Sequence, residues 1–146
     1  MSVAIKLTGS DAALRAAAAK LHKVGAGRLA LAVAHKVAPV LQELSDRPWQ
    51  RRASVEGESW APRTRRYYHP ILEKTGKTRR SLKSRAIGTN VVTSVKTKYA
   101  VHHQFGAPRA KVPARPFFPV GDSLPAVWAA RIRKTIAESI EEALRG

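Results

Sequence analysis

The chain has 146 residues, a formal net charge of +17 and no cysteine, a length that fits one domain with a single buried core. The missing thiols exclude a disulfide framework, a thiolate metal site and a cysteine nucleophile. The most apolar run, Leu29 to Leu44, is interrupted by His35, Lys36 and Pro39 and falls short of the about 20 apolar residues of a spanning helix; "MSVAIKLTGS" turns polar too early for a secretory signal, so a soluble protein made in the cytoplasm is expected.

In chain order, Val3–Leu7 alternates weakly and reads as a short strand ending at Thr8-Gly9. Ser10 or Asp11 is a suitable N-cap, because a short side-chain oxygen can accept from the free amides of the first turn. Leu14, Ala18, Leu21, Gly25, Leu29, Val33, Val37, Val40 and Leu44 then recur at three- or four-residue steps, one stripe on a helical period. The spacing predicts one long helix over 11–44, bent at Pro39 because proline lacks the amide donor.

Residues 46–78 show no usable period. Pro48, Gly57, Pro62, Pro70 and Gly76 punctuate a stretch rich in arginine, with Trp49, Trp60, Tyr67 and Tyr68 interspersed. A loop this long inside a compact domain is uncommon unless it is functional, and its aromatics argue for ordering on a partner. The charge concentrates nearby: Asp46–Arg85 holds twelve Lys/Arg against four acids, whereas Asp122–Gly146 is balanced at four against four. Such a field attracts phosphate or acidic protein surfaces alike.

Strands are predicted near Arg79–Ile87 and Val91–Lys98, joined at Gly88-Thr89-Asn90, with Val91, Thr93, Val95 and Thr97 on one face. "YAVHHQFG" (Tyr99–Gly106) reads as a strand end and turn, and "RPFFPVG" (Arg115–Gly121) as a short edge strand on account of its prolines. Asp122 or Ser123 caps a last helix over 122–145, whose apolar face comprises Leu124, Val127, Trp128, Ile132, Ile136, Ile140 and Leu144. The expected class is α+β, a single domain over 1–146. A long N-terminal and a C-terminal helix pack on a small antiparallel sheet (79–121 with the proline-rich arm), beside a long basic loop.

Catalytic patterns are absent. His102 and His103 are adjacent and diverge on either a strand or a helix, and no His-Glu-x-x-His or Gly-x-Ser-x-Gly pattern occurs. "EKTGKTRRS" lacks the first glycine of a phosphate loop at the required spacing, and the scattered acids do not suit a magnesium site. No catalytic residue, cofactor or metal is assigned. Arginines interleaved with Trp49, Trp60, Tyr67 and Tyr68 could form a single-strand nucleic-acid platform, although arginine and aromatics also characterise protein interfaces.

Four blocks carry a resemblance. "GESWAPRT" (57–64), "ILEKTGKTRRSL" (71–82), "YAVHHQFG" (99–106) and "VPARPFFPVG" (112–121) occur in the order and at the spacing that resemble the phage virion morphogenesis family, the tail completion and neck proteins of tailed bacteriophages. The chain departs at Lys77-Thr78, where the family usually has a leucine. The resemblance implies a structural subunit, not an enzyme, located at the head–tail junction of the virion. There it would form a homo-oligomeric ring that meets other neck and tail-tube or terminator proteins close to the DNA passage, away from any membrane. Its expected assembly interface comprises Trp60, Arg63, Arg65, Arg66, Tyr99, His103, Gln104, Gly106, Arg109, Pro113, Arg115, Pro116 and Phe117.

In that role the prolines hold an extended arm with little entropy to lose on docking, Gly106 permits a backbone turn closed to other residues, and Gln104 can donate and accept at a neighbouring backbone edge. Trp60 and Phe117 suit subunit contacts or the protein's own core, and His103 suits a buried position. The loop from Arg47 to Arg66 is expected to meet an acidic ring partner, for which Glu138, Glu141 and Glu142 of an adjacent copy are candidates. The alternative function is non-specific or single-strand DNA binding.

Overall fold

The computed structural model describes residues 2–5, 25–66, 68–69, 71–119, 121 and 123–145. In chain order they form β1 (Ser2–Ile5), α1 (Ala26–Arg51), α2 (Lys77–Ser81), β2 (Lys83–Ile87), β3 (Asn90–Ser94), α3 (Ala100–Phe105), a 3-10 turn (Pro108–Ala110) and α4 (Ala126–Arg145). The class is α+β. The expected cap at Ser10 or Asp11 and the helix over 11–24 lie outside the described residues, as do Tyr67, Pro70 and Asp122.

The sheet is antiparallel in the order β1-β3-β2. β3 pairs with β2 from Ser84↔Thr93 to Ile87↔Asn90, and Gly88 supplies the left-handed φ of 59° between them. Val91, Thr93 and Val95 are buried as their alternation predicts. The first predicted strand is shorter than expected, because Lys77–Ser81 forms a helical turn before it.

α1 continues past residue 44 to Arg51, through Pro39 and Pro48. Its buried stripe is Ala34, Val37, Leu41, Leu44, Ser45 and Trp49, a helical period that carries Trp49 into the core. Pro39 lies on the exposed side, so the helical donor it fails to supply is missing where water can replace it. Paired side chains one turn apart support the extra turns: Arg47 donates to Glu43 (3.0 Å) and Gln50 to Asp46 (2.8 Å). At the end, Arg52 turns left-handed (φ 52°) and Ala53 N donates to Pro48 O (3.1 Å). The chain then folds back through the Ala53↔Ser59 bridge to place Trp60 against Trp49.

α1 contacts both the sheet and α4. Gln42 clips it to the sheet edge, donating to Leu82 O (3.2 Å) and accepting from Ser84 N (2.8 Å). Lys36 meets Glu142 (3.2 Å) and Glu43 approaches Arg131 (3.9 Å), so α1 and α4 run antiparallel. α4 buries Trp128, Ile132 and Ser139 but leaves Val127 largely exposed, outside the apolar face expected for it.

Arg79 braces the start of the sheet to α1. Its Nε and Nη2 donate to the two carboxylate oxygens of Asp46 (2.8 and 2.9 Å), and its Nη1 to Glu73 (2.8 Å). The bond from Arg79 holds the Asp46 carboxyl below its ordinary value, and both carboxylates push the guanidinium pKa upward. Because the folded pKa of Asp46 is depressed, its contribution is present above the unfolded value near 4 and is lost as pH falls through the folded one. Asp46→Ala should therefore lower stability in urea titrations by about 1–2 kcal/mol at pH 7, a charge-assisted bond discounted for its one-third exposure. The difference from wild type should shrink as pH falls through the lowered folded pKa of Asp46.

Candidate functional site

Tyr99–Gly121 folds differently from its sequence expectation. Residues 100–105 are helical, and no strand forms over 113–119. The physical reason is the donor count: Pro113, Pro116 and Pro119 carry no N–H, so a regular ladder cannot form there. Three of the remaining amides find single partners. Arg115 N donates to His103 O (2.7 Å), while Phe117 N and Phe118 N both donate to Gln104 Oε1 (3.0 and 3.2 Å). Gln104 Nε2 in turn donates to Phe118 O (2.7 Å). Gln104, 3% exposed, therefore holds the arm through three hydrogen bonds from one side-chain amide.

The arm is consequently packed inside its own chain. Phe117 stacks at a tilt on Trp49 (5.0 Å between centroids), Phe118 meets Trp128 edge-on (5.8 Å), and Trp60 Nε1 donates to Pro116 O (2.7 Å). Between α3 and the arm, Ala107 and Val112 exchange backbone bonds (2.9 and 3.1 Å), closing a tongue that carries Arg109 and Lys111 on its exposed turn. Gly106 begins the tongue at φ 77°, and a Cβ there would lie 3.0 Å from Ala114 N. Both the dihedral and the close backbone approach require glycine.

A cleft of about 490 Å³ opens beside this clamp. Arg63, Lys74, Lys77, Lys111 and Arg115 supply cations to its lining, and Ile71, Leu72, Tyr99, Val112 and Pro113 supply apolar wall. None of its described lining residues is acidic. Arg115 is 8% exposed; its Nε donates to Ala61 O (2.8 Å) and its Nη2 to Pro62 O (3.1 Å). Burial, and then repulsion from Arg63, lower its pKa from the ordinary arginine value. Arg63 Nη2 donates to His69 Nδ1 (3.3 Å). His103 is held below its usual 6.5, first by burial and then by the charges of Arg115 and His102. Leu72 and Lys111 adopt positive φ (63° and 54°) on the cleft wall, a conformation that costs non-glycine residues energy and tends to cluster at functional surfaces.

The structure sorts the expected interface residues into groups. Trp60, Gln104, Pro116 and Phe117 make bonds or ring contacts within the chain. Arg63, Tyr99, His103, Pro113 and Arg115 converge on the cleft. Arg65, Arg66 and Arg109 are exposed outside it. Sequence reading missed Lys74, Lys77, Lys111 and His69 as members of the same surface, since only the folded tongue brings residue 111 to residues 69–77. It also missed Arg79 as a brace, because Asp46 and Glu73 are distant in the chain. Among the described residues no group of three or more His, Asp or Glu lies together as a metal site, and no helix is long and apolar enough to cross a membrane.

All four sequence blocks contribute to this one cleft: Arg63 from the first, Lys74 from the second, His103 from the third and Arg115 from the fourth. The model of the phage virion morphogenesis family matches residues 9–144, nearly the whole chain. The chain belongs to that family. Among curated proteins and among solved structures, nothing matches it. Family membership gives the protein a role in phage virion morphogenesis.

Gln104→Leu, close in size, leaves two buried N–H groups and a carbonyl without partners. It should cost about 2–4 kcal/mol in thermal or urea unfolding, and Gln104→Glu should not rescue it, because a carboxylate cannot donate to Phe118 O. The His103 ring should titrate below pH 6.5 by NMR. Its depressed folded pKa adds stability that is full above the unfolded value of about 6.5 and is lost as pH falls through the folded one.

Proposed function

We propose that the protein is a non-catalytic structural subunit of the head–tail junction of a tailed phage, part of a homo-oligomeric ring that completes the tail or forms the neck. The convergence of four separated sequence blocks on one cleft, inside a chain that matches the family from residue 9 to 144, carries this reading. Catalysis has little chemical footing in the cleft. Its cations could bind an anion, but no lining carboxylate is available to orient His103 as a base. A joining surface needs what is present: a rigid support, apolar wall and charge.

The Arg47–Arg66 loop is only partly available for the expected contact with an acidic ring partner. Arg47 is engaged with Glu43, whereas Arg65 and Arg66 are exposed. The three C-terminal glutamates already have cations nearby, Glu138 with Lys134 (3.9 Å), Glu141 with Arg145 (3.7 Å) and Glu142 with Lys36 (3.2 Å). These exposed pairs are weak enough to exchange.

The test uses a phage or prophage from which the gene has been deleted, complemented with wild type or with Arg63→Glu, Arg65→Glu and Arg66→Glu together. Negative-stain micrographs of the deletion should show separate DNA-filled heads and finished tails. Wild type should restore joined particles, and the triple variant, folded by circular dichroism, should not. Joined infectious particles in the deletion lysate would remove the junction role.

A further inference from the structure

The cleft gathers five cations and, among its described lining residues, no acid. Arg115 is almost fully buried beside Arg63, and the groups bonded to it are two backbone carbonyls. Carbonyl dipoles satisfy donors but carry no net charge, and a recessed cation facing a like charge is costly without an anion. Glu73, the acid closest in sequence to the wall, is turned to Arg79 instead. Arg115 Nη1 takes no bond among the described residues, while the residue as a whole lines the cleft.

We propose that this cleft is the receptor for an extended acidic peptide segment of a different virion protein, one of whose carboxylates is bound by Arg115 and Arg63 while neighbouring apolar side chains lie along Ile71, Leu72, Tyr99, Val112 and Pro113. The inference rests on reading the protein as a joining subunit and does not depend on the joint's position in the particle.

Shape and charge select this occupant. The guanidinium fork matches the planar carboxylate. A cleft of about 490 Å³ accommodates a few side chains but not a duplex, whose phosphates are met by exposed basic surfaces. The apolar wall is aliphatic apart from Tyr99, which suits peptide side chains better than the stacked bases of a single strand.

A second copy of the chain is a poor occupant. Glu43, Asp46, Glu73, Glu138, Glu141 and Glu142 already have intramolecular cations, so each would give up one cation to meet another and gain little, which leaves Glu56 and Glu58 as the described acids without such a pair. With 27 Lys and Arg against 10 acids, a second copy has few carboxylates to offer this cleft, whatever other surfaces the copies share. An acidic partner reverses that balance.

The test measures fluorescence anisotropy of a labelled peptide of alternating Glu and Leu, with the matching Gln–Leu peptide and labelled oligothymidylate as comparisons, at about 150 mM salt where loose charge attraction is screened. The full-length protein is compared with Lys74→Glu/Lys111→Glu, which reverses exposed cleft cations without touching the buried clamp. A second variant, Arg28→Glu/Arg133→Glu, makes the same charge change at exposed sites on α1 and α4.

The Glu–Leu peptide should bind at least roughly tenfold more tightly than the Gln–Leu peptide. The cleft variant should lose about tenfold, and the distant variant less than about twofold. Equal losses in the two variants, equal binding of the two peptides, or displacement of the Glu–Leu peptide by oligothymidylate would each overturn the proposal. Should the peptide fail while the complemented particles still depend on the protein for joining, the acidic-peptide inference falls and the junction reading stands.

Discussion

One side-chain amide holds the molecule's tertiary structure in register. Gln104 accepts from Phe117 N and Phe118 N and donates to Phe118 O, so the direction of two consecutive side chains is fixed by a residue on a separate short helix. Phe117 is thereby committed to Trp49 at the end of α1, and Phe118 to Trp128 at the start of α4. Two helices that already touch along their lengths are joined again through this dipeptide. The arm cannot obtain the same order from a β-ladder, because its prolines remove every third donor, and a buried backbone without partners costs roughly 1–3 kcal/mol for each group left bare. A side chain that both donates and accepts is the compact solution, and glutamine reaches further than asparagine.

Charge is treated in two ways within the same fold. Around Arg79, cation and carboxylates meet in short, directed bonds between elements distant in sequence, and the positive charge is neutralised where it stands. Around Arg115 two donors are met by carbonyls, and no carboxylate bonds to it among the described residues. The difference separates a brace from a receptor. A folded chain with formal charge +17 carries much of that excess at its surface, where water and salt screen it; the cleft gathers five of those cations with no acid among its described lining residues.

The periodic elements were legible in the sequence. The face of α4 around Trp128 and Ile132 and the alternation of Val91, Thr93 and Val95 could be read directly, because each depends on local spacing alone. The four blocks gave the family, which the match over residues 9–144 confirms. The end of α1 was hidden because Ser45-Asp46-Arg47-Pro48 looks like a terminator. Trp49 supplies the countervailing burial only once Trp60 and Phe117 arrive from later in the chain. "YAVHHQF" reads as a strand by its terminal aromatics and Val101, yet Ala100–Phe105 is helical, which places Ala100 and Gln104 one turn apart on the buried side. The clamp had a signal: an arm with prolines every third residue must find side-chain partners for its remaining amides, and Gln104 lies just upstream.

Each of the four blocks places some residues inward and others in the cleft. Trp60 packs while Arg63 lines the opening. Thr78 is buried and bonded to Thr97 (3.1 Å) while Lys74 lies on the wall. Gln104 clamps while Tyr99 and His103 border the cavity, and Phe117 anchors while Pro113 faces it. Arg115 belongs to both sides, with two of its nitrogens tied to the first block while the residue lines the cleft. A surface supported in this manner has its conformational entropy already removed before a partner arrives, so contact energy is not consumed in ordering it. The same construction explains why these blocks resist separation into folding residues and binding residues: moving the arm displaces Arg115, and moving Arg115 releases the loop that carries Trp60.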